Sequence, residues 1–238
     1  MRIPATVAVL LLPLFTVPCA AQTEGYKDHW GVSASFVPRW RVPSQLADLW
    51  DIETDMRGSE VRAGIVRGRD VGGEWGVSFV KKTVDEGSTV QLRRSACVQL
   101  PSGSPQCARG AYDITRDAGM TGVEAHLFIE LATIRRVGIG VAFAGGIARL
   151  DGTSDRFLEH LVVNGSAVTA VTESLGIEPF KETLQGFPES WRVVPIGRVE
   201  LGVGVLVRPG VKLRATSGVN FPGYHRIGMH IQYLLGAK

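Results

Sequence analysis

What this chain has little of is the first guide to it. Beyond its N-terminal segment no stretch is apolar enough, for long enough, to cross a bilayer as a helix. The formal charge is a small, dispersed +3, which offers no basic face of the kind a nucleic-acid partner needs. Histidines are few, five in all, and no activated nucleophile accompanies them. The alternation of side chains places no serine beside His126, so no catalytic residues are expected. The glycine-rich stretches Gly138–Gly146 and Gly202–Gly204 lack a following helix with phosphate-binding spacing, which argues against a nucleotide site. Neither a metal nor an organic cofactor is expected.

Cysteine is also scarce, at three residues, and its placement matters. Cys19 belongs to a segment with the marks of a secretory signal: Arg2, an apolar run over Val7–Val17, then Cys19-Ala20-Ala21. The run is short and broken by Pro13, which disfavours a membrane anchor. Pro18 stands where a small residue would precede a lipid-modified cysteine, which argues against acylation of Cys19. Residues 1–21 are therefore expected to be a signal peptide cleaved after Ala21, residues 22–29 a polar flexible tail, and residues 30–238 one domain. Export leaves Cys97 and Cys107 as an even pair in an oxidising compartment, and a disulfide between them is expected.

Glycine, by contrast, is plentiful at 29 residues, and much of it lies inside apolar alternating runs, where it is costly unless backbones approach closely or a sheet must curve. The longest such run is Gly122–Ala148. In its first half Val123, Ala125, Leu127, Ile129 and Leu131 take one face, against Glu124, His126, Phe128 and Glu130. After Arg135-Arg136, Val137, Ile139, Val141, Phe143 and Ile147 oppose Gly138, Gly140, Ala142, Ala144, Gly146 and Ala148. A period of two describes strands, and each arm is long enough to span a bilayer at a tilt. The same alternation appears over Trp30–Arg39, Gly58–Gly68, Glu74–Val84, Trp191–Arg208, Val211–Val219 and Arg226–Gly236.

Eight strands result. Their connections run long, short, long, short, long, short, with a modest last loop at Phe221–Tyr224. The long ones, Arg41–Arg57, Asp85–Gly119 and Leu150–Ser190, are read as loops. Helical segments are expected at Ser44–Trp50, around Asp155–Val163 and near Val171–Leu175. Trp30, Trp75, Trp191 and Tyr233 fall near strand ends, where interfacial aromatics sit.

With every long loop at one end, the chain over Trp30–Gly236 resembles the small eight-stranded outer-membrane barrels of the OmpA and OmpX type. Such barrels usually end in an aromatic residue, whereas this chain ends Tyr233-Leu-Leu-Gly-Ala-Lys238. The resemblance implies an all-β, antiparallel up-and-down transmembrane β-barrel in the outer membrane. It further implies a monomer, with the lipid bilayer and the barrel assembly machinery as partners. A non-enzymatic structural or surface-interaction role is expected. The alternatives are a narrow transport channel, a lipid-modifying enzyme, and a soluble periplasmic barrel holding an apolar ligand, which would swap the two faces.

An eight-stranded lumen is only wide enough to be filled by side chains, and charges inside it must pair. The face opposite the apolar stripe carries Glu60, Arg62, Glu124, His126, Glu130, Arg198, Glu200, Lys212, Arg214 and His230. These are the candidate site residues, expected to form an ion-pair network that plugs the lumen.

Overall fold

The structure is a computed structural model, which describes residues 28–42, 52–92, 96–99, 105–108, 111–164, 167–179, 192–221 and 223–237. The expected signal peptide, most of the tail and the expected helical turn at Ser44–Trp50 lie outside the described residues.

Eight long strands build the fold: β1 (His29–Arg41), β2 (Arg57–Gly68), β3 (Glu74–Val84), β4 (Ala111–Ile134), β5 (Val137–Asn164), β6 (Val193–Arg208), β7 (Val211–Phe221) and β8 (Tyr224–Leu234). Each pairs antiparallel with its neighbours in sequence, and β8 returns to pair with β1, so the sheet closes into an eight-stranded up-and-down barrel. Closure leaves no barrel edge exposed, the condition for a sheet to stand in lipid. The expected strand positions hold to within a few residues at their ends, except that β4 begins eleven residues before Gly122 and β5 runs sixteen residues past Ala148. Asp28 and His29 are tied to the barrel rather than belonging to a loose tail. Asp28 accepts from Arg69 Nε at 2.7 Å, and His29 opens β1.

Burial follows the alternation directly. In β3 buried and exposed residues alternate without a break. Val32, Ile65, Val77, Val123, Ile139, Leu201 and Met229 all face outward, with Leu201 65% and Met229 68% exposed. The charged alternates face inward. This orientation overturns the soluble alternative, which required the apolar stripe to line the interior.

The short connections at one end are Arg69–Gly73, Arg135-Arg136 and Pro209-Gly210. Arg135 has φ 58° and Gly210 φ 78°, the left-handed backbone that two-residue hairpin turns require. At the other end the long connections carry more strand than expected. β4 and β5 continue past the rim as a paired ribbon, with Ala111 opposite Leu158. Asp155–Val163 belongs to β5 and pairs with a further strand, Ala167–Pro179. The helices expected near Asp155–Val163 and Val171–Leu175 are therefore strands. Their apolar residues meet ladder partners across the ribbon, and that non-local pairing outweighs weak local helix propensity. Short strands Ile52–Thr54 and Thr89–Leu92 extend the same wall on its other side. Ala96–Gln99 and Pro105–Ala108 form a separate two-stranded hairpin.

One irregularity sets the upper lumen. In β1 the register shifts between Phe36 and Arg39 against β8, and between Val37 and Trp40 against β2. Pro38, which cannot donate to a ladder, is accommodated at this bulge. Pro38 and Arg39 both face outward in consequence, while Trp40 swings inside to full burial. An unbulged strand would have put Trp40 in the lipid-side face and Arg39 in the lumen.

Candidate functional site

The lumen is layered. Toward the long-loop end it is apolar: Trp40, Val37, Met56, Met120, Leu150 and Tyr224 belong to one buried cluster. The Trp40 and Tyr224 rings pack with centroids 4.6 Å apart, and Trp40 Nε1–H donates to the Ser59 carbonyl at 3.1 Å.

Beneath this cap lies a ring of alternating charges. Arg62 reaches Glu60 at 2.7 Å and Glu124 at 3.3 Å. Arg198 meets Glu124 at 3.0 Å and also contacts Glu200. Arg226 closes the circle, 2.6 Å from both Glu200 and Glu60. The order is Glu60, Arg62, Glu124, Arg198, Glu200, Arg226 and back to Glu60. Its members come from β2, β4, β6 and β8. Inward residues at one level of a barrel come from alternate strands, which is why two positions on each of β2 and β6 meet one on each of β4 and β8. Every side chain in it is at most 9% exposed. Three guanidinium groups and three carboxylates balance, so the desolvation of each is offset by two opposite neighbours. Glu60 carries more: Asn220 Nδ2 donates to it at 3.2 Å, and Lys82 Nζ approaches to 3.9 Å. Lys82 also lies 4.2 Å from the Tyr224 ring centroid, joining ring to cap by a cation–π contact.

A second cluster lies toward the short turns. Arg214 makes a bidentate pair with Glu74 at 2.9 and 3.0 Å, and its guanidinium stacks 3.5 Å from the Phe128 ring centroid. His230 Nε2 lies 3.6 Å from the same carboxylate. Lys212 Nζ donates to Glu130 at 3.1 Å, and the Gly72 N–H donates to Glu130 at 2.9 Å. The glycines on the inward face now have a physical role. A Cβ on Gly140 would lie 2.5 Å from Phe128 Cζ, and one on Gly202 would lie 3.1 Å from Phe128 Cε2 and 2.6 Å from Arg214 Cδ. Their missing side chains are the space that the ring and guanidinium occupy.

All ten expected lumen residues thus point inward. Nine of them divide between the two charge clusters. His126 stands apart, and here one expectation is corrected: a serine does lie beside it. Ser78 on β3 faces Glu124 in the ladder, and its Oγ is 3.5 Å from His126 Nδ1. That distance is long for a hydrogen bond. Among the described residues no group hydrogen-bonds His126 Nε2, so none of their carboxylates orients the ring as a base. Four residues escaped the sequence reading: Glu74, Lys82, Asn220 and Arg226. Glu74, Lys82 and Arg226 share the parity of inward neighbours already recognised on their strands. Asn220 lies just past the end assigned to its strand.

Fold and lumen together define a class: a transmembrane-type, eight-stranded, up-and-down barrel with an apolar exterior and a charge-filled interior, like the small outer-membrane barrels. Comparison with known proteins adds the following. No protein family and no curated protein matches the chain. The crystal structure of Neisserial surface protein A (NspA) aligns with a TM-score of 0.42 and 12% identity, over 89% of this chain and 100% of that one. The crystal structure of the Ralstonia pickettii toluene transporter TbuX aligns with a TM-score of 0.21 and 10% identity, over 88% of this chain and 89% of that one.

Proposed function

We propose that the protein is an outer-membrane barrel that conducts nothing and acts through the structure it raises above the membrane. The observation that carries this reading is the filled lumen. The void among Glu60, Arg62, Lys82, Glu124 and Asn220 is about 10 Å³, room for about one water molecule. Purified protein in a planar bilayer is expected to give a flat baseline at high salt, and steady single-channel steps would refute it. The role then falls to the ribbon of β4, β5 and Ala167–Pro179 that stands beyond the rim, where a structural or surface-interaction function has its contact area. No catalytic step is assigned to the lumen residues.

Insertion in lipid makes its own prediction. Leu201 lies midway along β6 and faces outward. Leu201→Arg is expected to cost about 2–4 kcal/mol if that position meets the bilayer midplane. Urea unfolding from lipid vesicles measures it, and a cost under about 0.5 kcal/mol, the range of ordinary surface changes, would count against lipid contact.

The hairpin of the second long connection makes another. Cys97 is the ladder partner of Cys107. Directly opposed residues have Cα atoms about 4.5–5.5 Å apart, within the span a disulfide bridges. We expect the mature protein, denatured without reductant, to show no free thiol. Two thiols per chain would reject the bridge. Its stabilisation, about 2–3 kcal/mol for so short a loop, would fall on the hairpin rather than on the barrel.

A further inference from the structure

The outward face just below the long-loop rim is cationic. Arg41 on β1 lies directly between His225 on β8 and Arg57 on β2 in one hydrogen-bonded row. Like charges directly opposite each other in a ladder are destabilising, and strands are only about 4.8 Å apart. Arg39 joins them, turned outward by the bulge at Pro38, beside Ile227, which is 60% exposed. Lys81 on β3 extends the group. Its row contains Val61 on β2 and Phe36 on β1, but the rows climb toward the rim around the barrel. The row that leaves β1 at Val32, near its lower end, arrives on β7 at Phe221, the last residue before the rim. Lys81 therefore stands nearly level with Arg39.

Arg57 has an anionic neighbour, Asp85 at 3.4 Å. Arg39, Arg41 and Lys81 have no carboxylate partner among the described residues. Three exposed cations without a carboxylate partner among the described residues thus sit on the barrel wall at the upper limit of the apolar belt. Their alkyl stems can lie along Ile227, Phe36 and Val61 while the charged ends rise to the headgroup level. At the opposite end the outward Arg67 and Arg69 share a single carboxylate, that of Asp28, at 3.6 and 2.7 Å, and exposed Arg208 stands at the edge of the Pro209-Gly210 turn. Arg135 and Arg136 there lie at a turn tip rather than on the wall.

We infer that Arg39, Arg41 and Lys81, with Arg57 and His225 flanking, form a binding site for phosphorylated lipid headgroups in the leaflet on the long-loop side. A phosphomonoester supplies the charge that the row lacks, and guanidinium groups bind it through paired N–H donors. The apolar wall below takes the acyl chains. The inference rests on the barrel's insertion in a bilayer and goes further, to which lipids it holds.

The test uses full-length mature protein in detergent, folded as judged by heat-shifted gel mobility. It is titrated with lipid A, which carries two phosphomonoesters, and with phosphatidylcholine, and bound lipid is counted by native mass spectrometry. Lipid A is expected to bind on the order of 100-fold more tightly, at about a fivefold gain for each cation. The triple variant R39Q/R41Q/K81Q should lose that preference to within a few-fold, and R135Q/R136Q should keep it. If the triple variant does not fold, R41Q alone should lose about fivefold. A folded wild type without preference, or a preference that survives in R39Q/R41Q/K81Q, would overturn the site. Displacement of lipid A by excess inorganic phosphate would overturn the assignment to a lipid. Failure of the wild type to insert into phosphatidylcholine vesicles counts against the bilayer reading itself, whereas insertion without lipid A preference counts against the site alone.

Discussion

Replacing Glu60 by glutamine is expected to destabilise the barrel by roughly 3–5 kcal/mol, the cost of breaking a buried ion pair from one side. Glu60 is 1% exposed and receives Arg62 at 2.7 Å and Arg226 at 2.6 Å. Removing its charge opens the six-member circle and leaves three guanidinium groups against two carboxylates, with Lys82 close by. Glutamine fills the volume, so the loss isolates charge from packing. Urea unfolding in vesicles reads the difference. The double variant E60Q/R226M should recover part of it, because the excess cation is removed with its partner. An exposed pair supplies the contrast. Arg57 and Asp85 are about half exposed, and Asp85→Asn should cost under about 1 kcal/mol. If E60Q costs no more than Asp85→Asn, the ring is solvated and the closed lumen is wrong.

The second large effect belongs to the apolar cap. Trp40→Ala should cost about 3–5 kcal/mol, since the side chain is fully buried and packs on Tyr224. Truncation also removes the Nε1–H bond to the Ser59 carbonyl, which keeps a longer contact from Thr83 Oγ1 at 3.4 Å. Trp40→Phe, which keeps most of the ring but not the donor, should cost less than half as much. Trp30 offers an outside comparison. It is 49% exposed and meets Trp75 edge-on at 5.6 Å, so Trp30→Ala should cost about 1 kcal/mol. Equal losses at Trp40 and Trp30 would mean that the bulge does not deliver Trp40 to the interior.

The barrel was legible in the sequence because a period of two is a strict code. Once Val123 and Glu124 are assigned to opposite faces, the faces of Phe128, Gly140 and Ala142 follow. Loop order then placed the long connections at one end. Where the code is interrupted, reading failed. Nothing in Phe36–Arg41 shows that the strand gains a residue, although Pro38 marks a place where an ordinary ladder cannot run. The position of Trp40, and with it the cap, was therefore invisible. The stretches Asp155–Val163 and Val171–Leu175 mix apolar and polar residues without a clean period. Their strand state comes from pairing with each other, which no local window contains. Among the charges, sign and face could be read but partners could not. Glu60 binds Arg226 across 166 positions of sequence, a meeting fixed by barrel register rather than by spacing.

The seam between first and last strands has a kinetic consequence. Gly31 pairs with Leu234 and Arg41 with His225, so the final ladder joins the two extremes of the fold. Such a contact requires nearly the whole chain to be confined first, and closing so long a loop is entropically slow. Until it forms, β1 and β8 each present a row of unpaired N–H and C=O groups, able to pair with any other strand at hand. The charge circle cannot complete before that moment either, because Arg226 rides on β8. Sealing the seam and closing the circle through the Arg226–Glu60 contact are therefore one event, and a chain stopped short of Tyr224 would be left as an open sheet with one guanidinium too few for its three carboxylates.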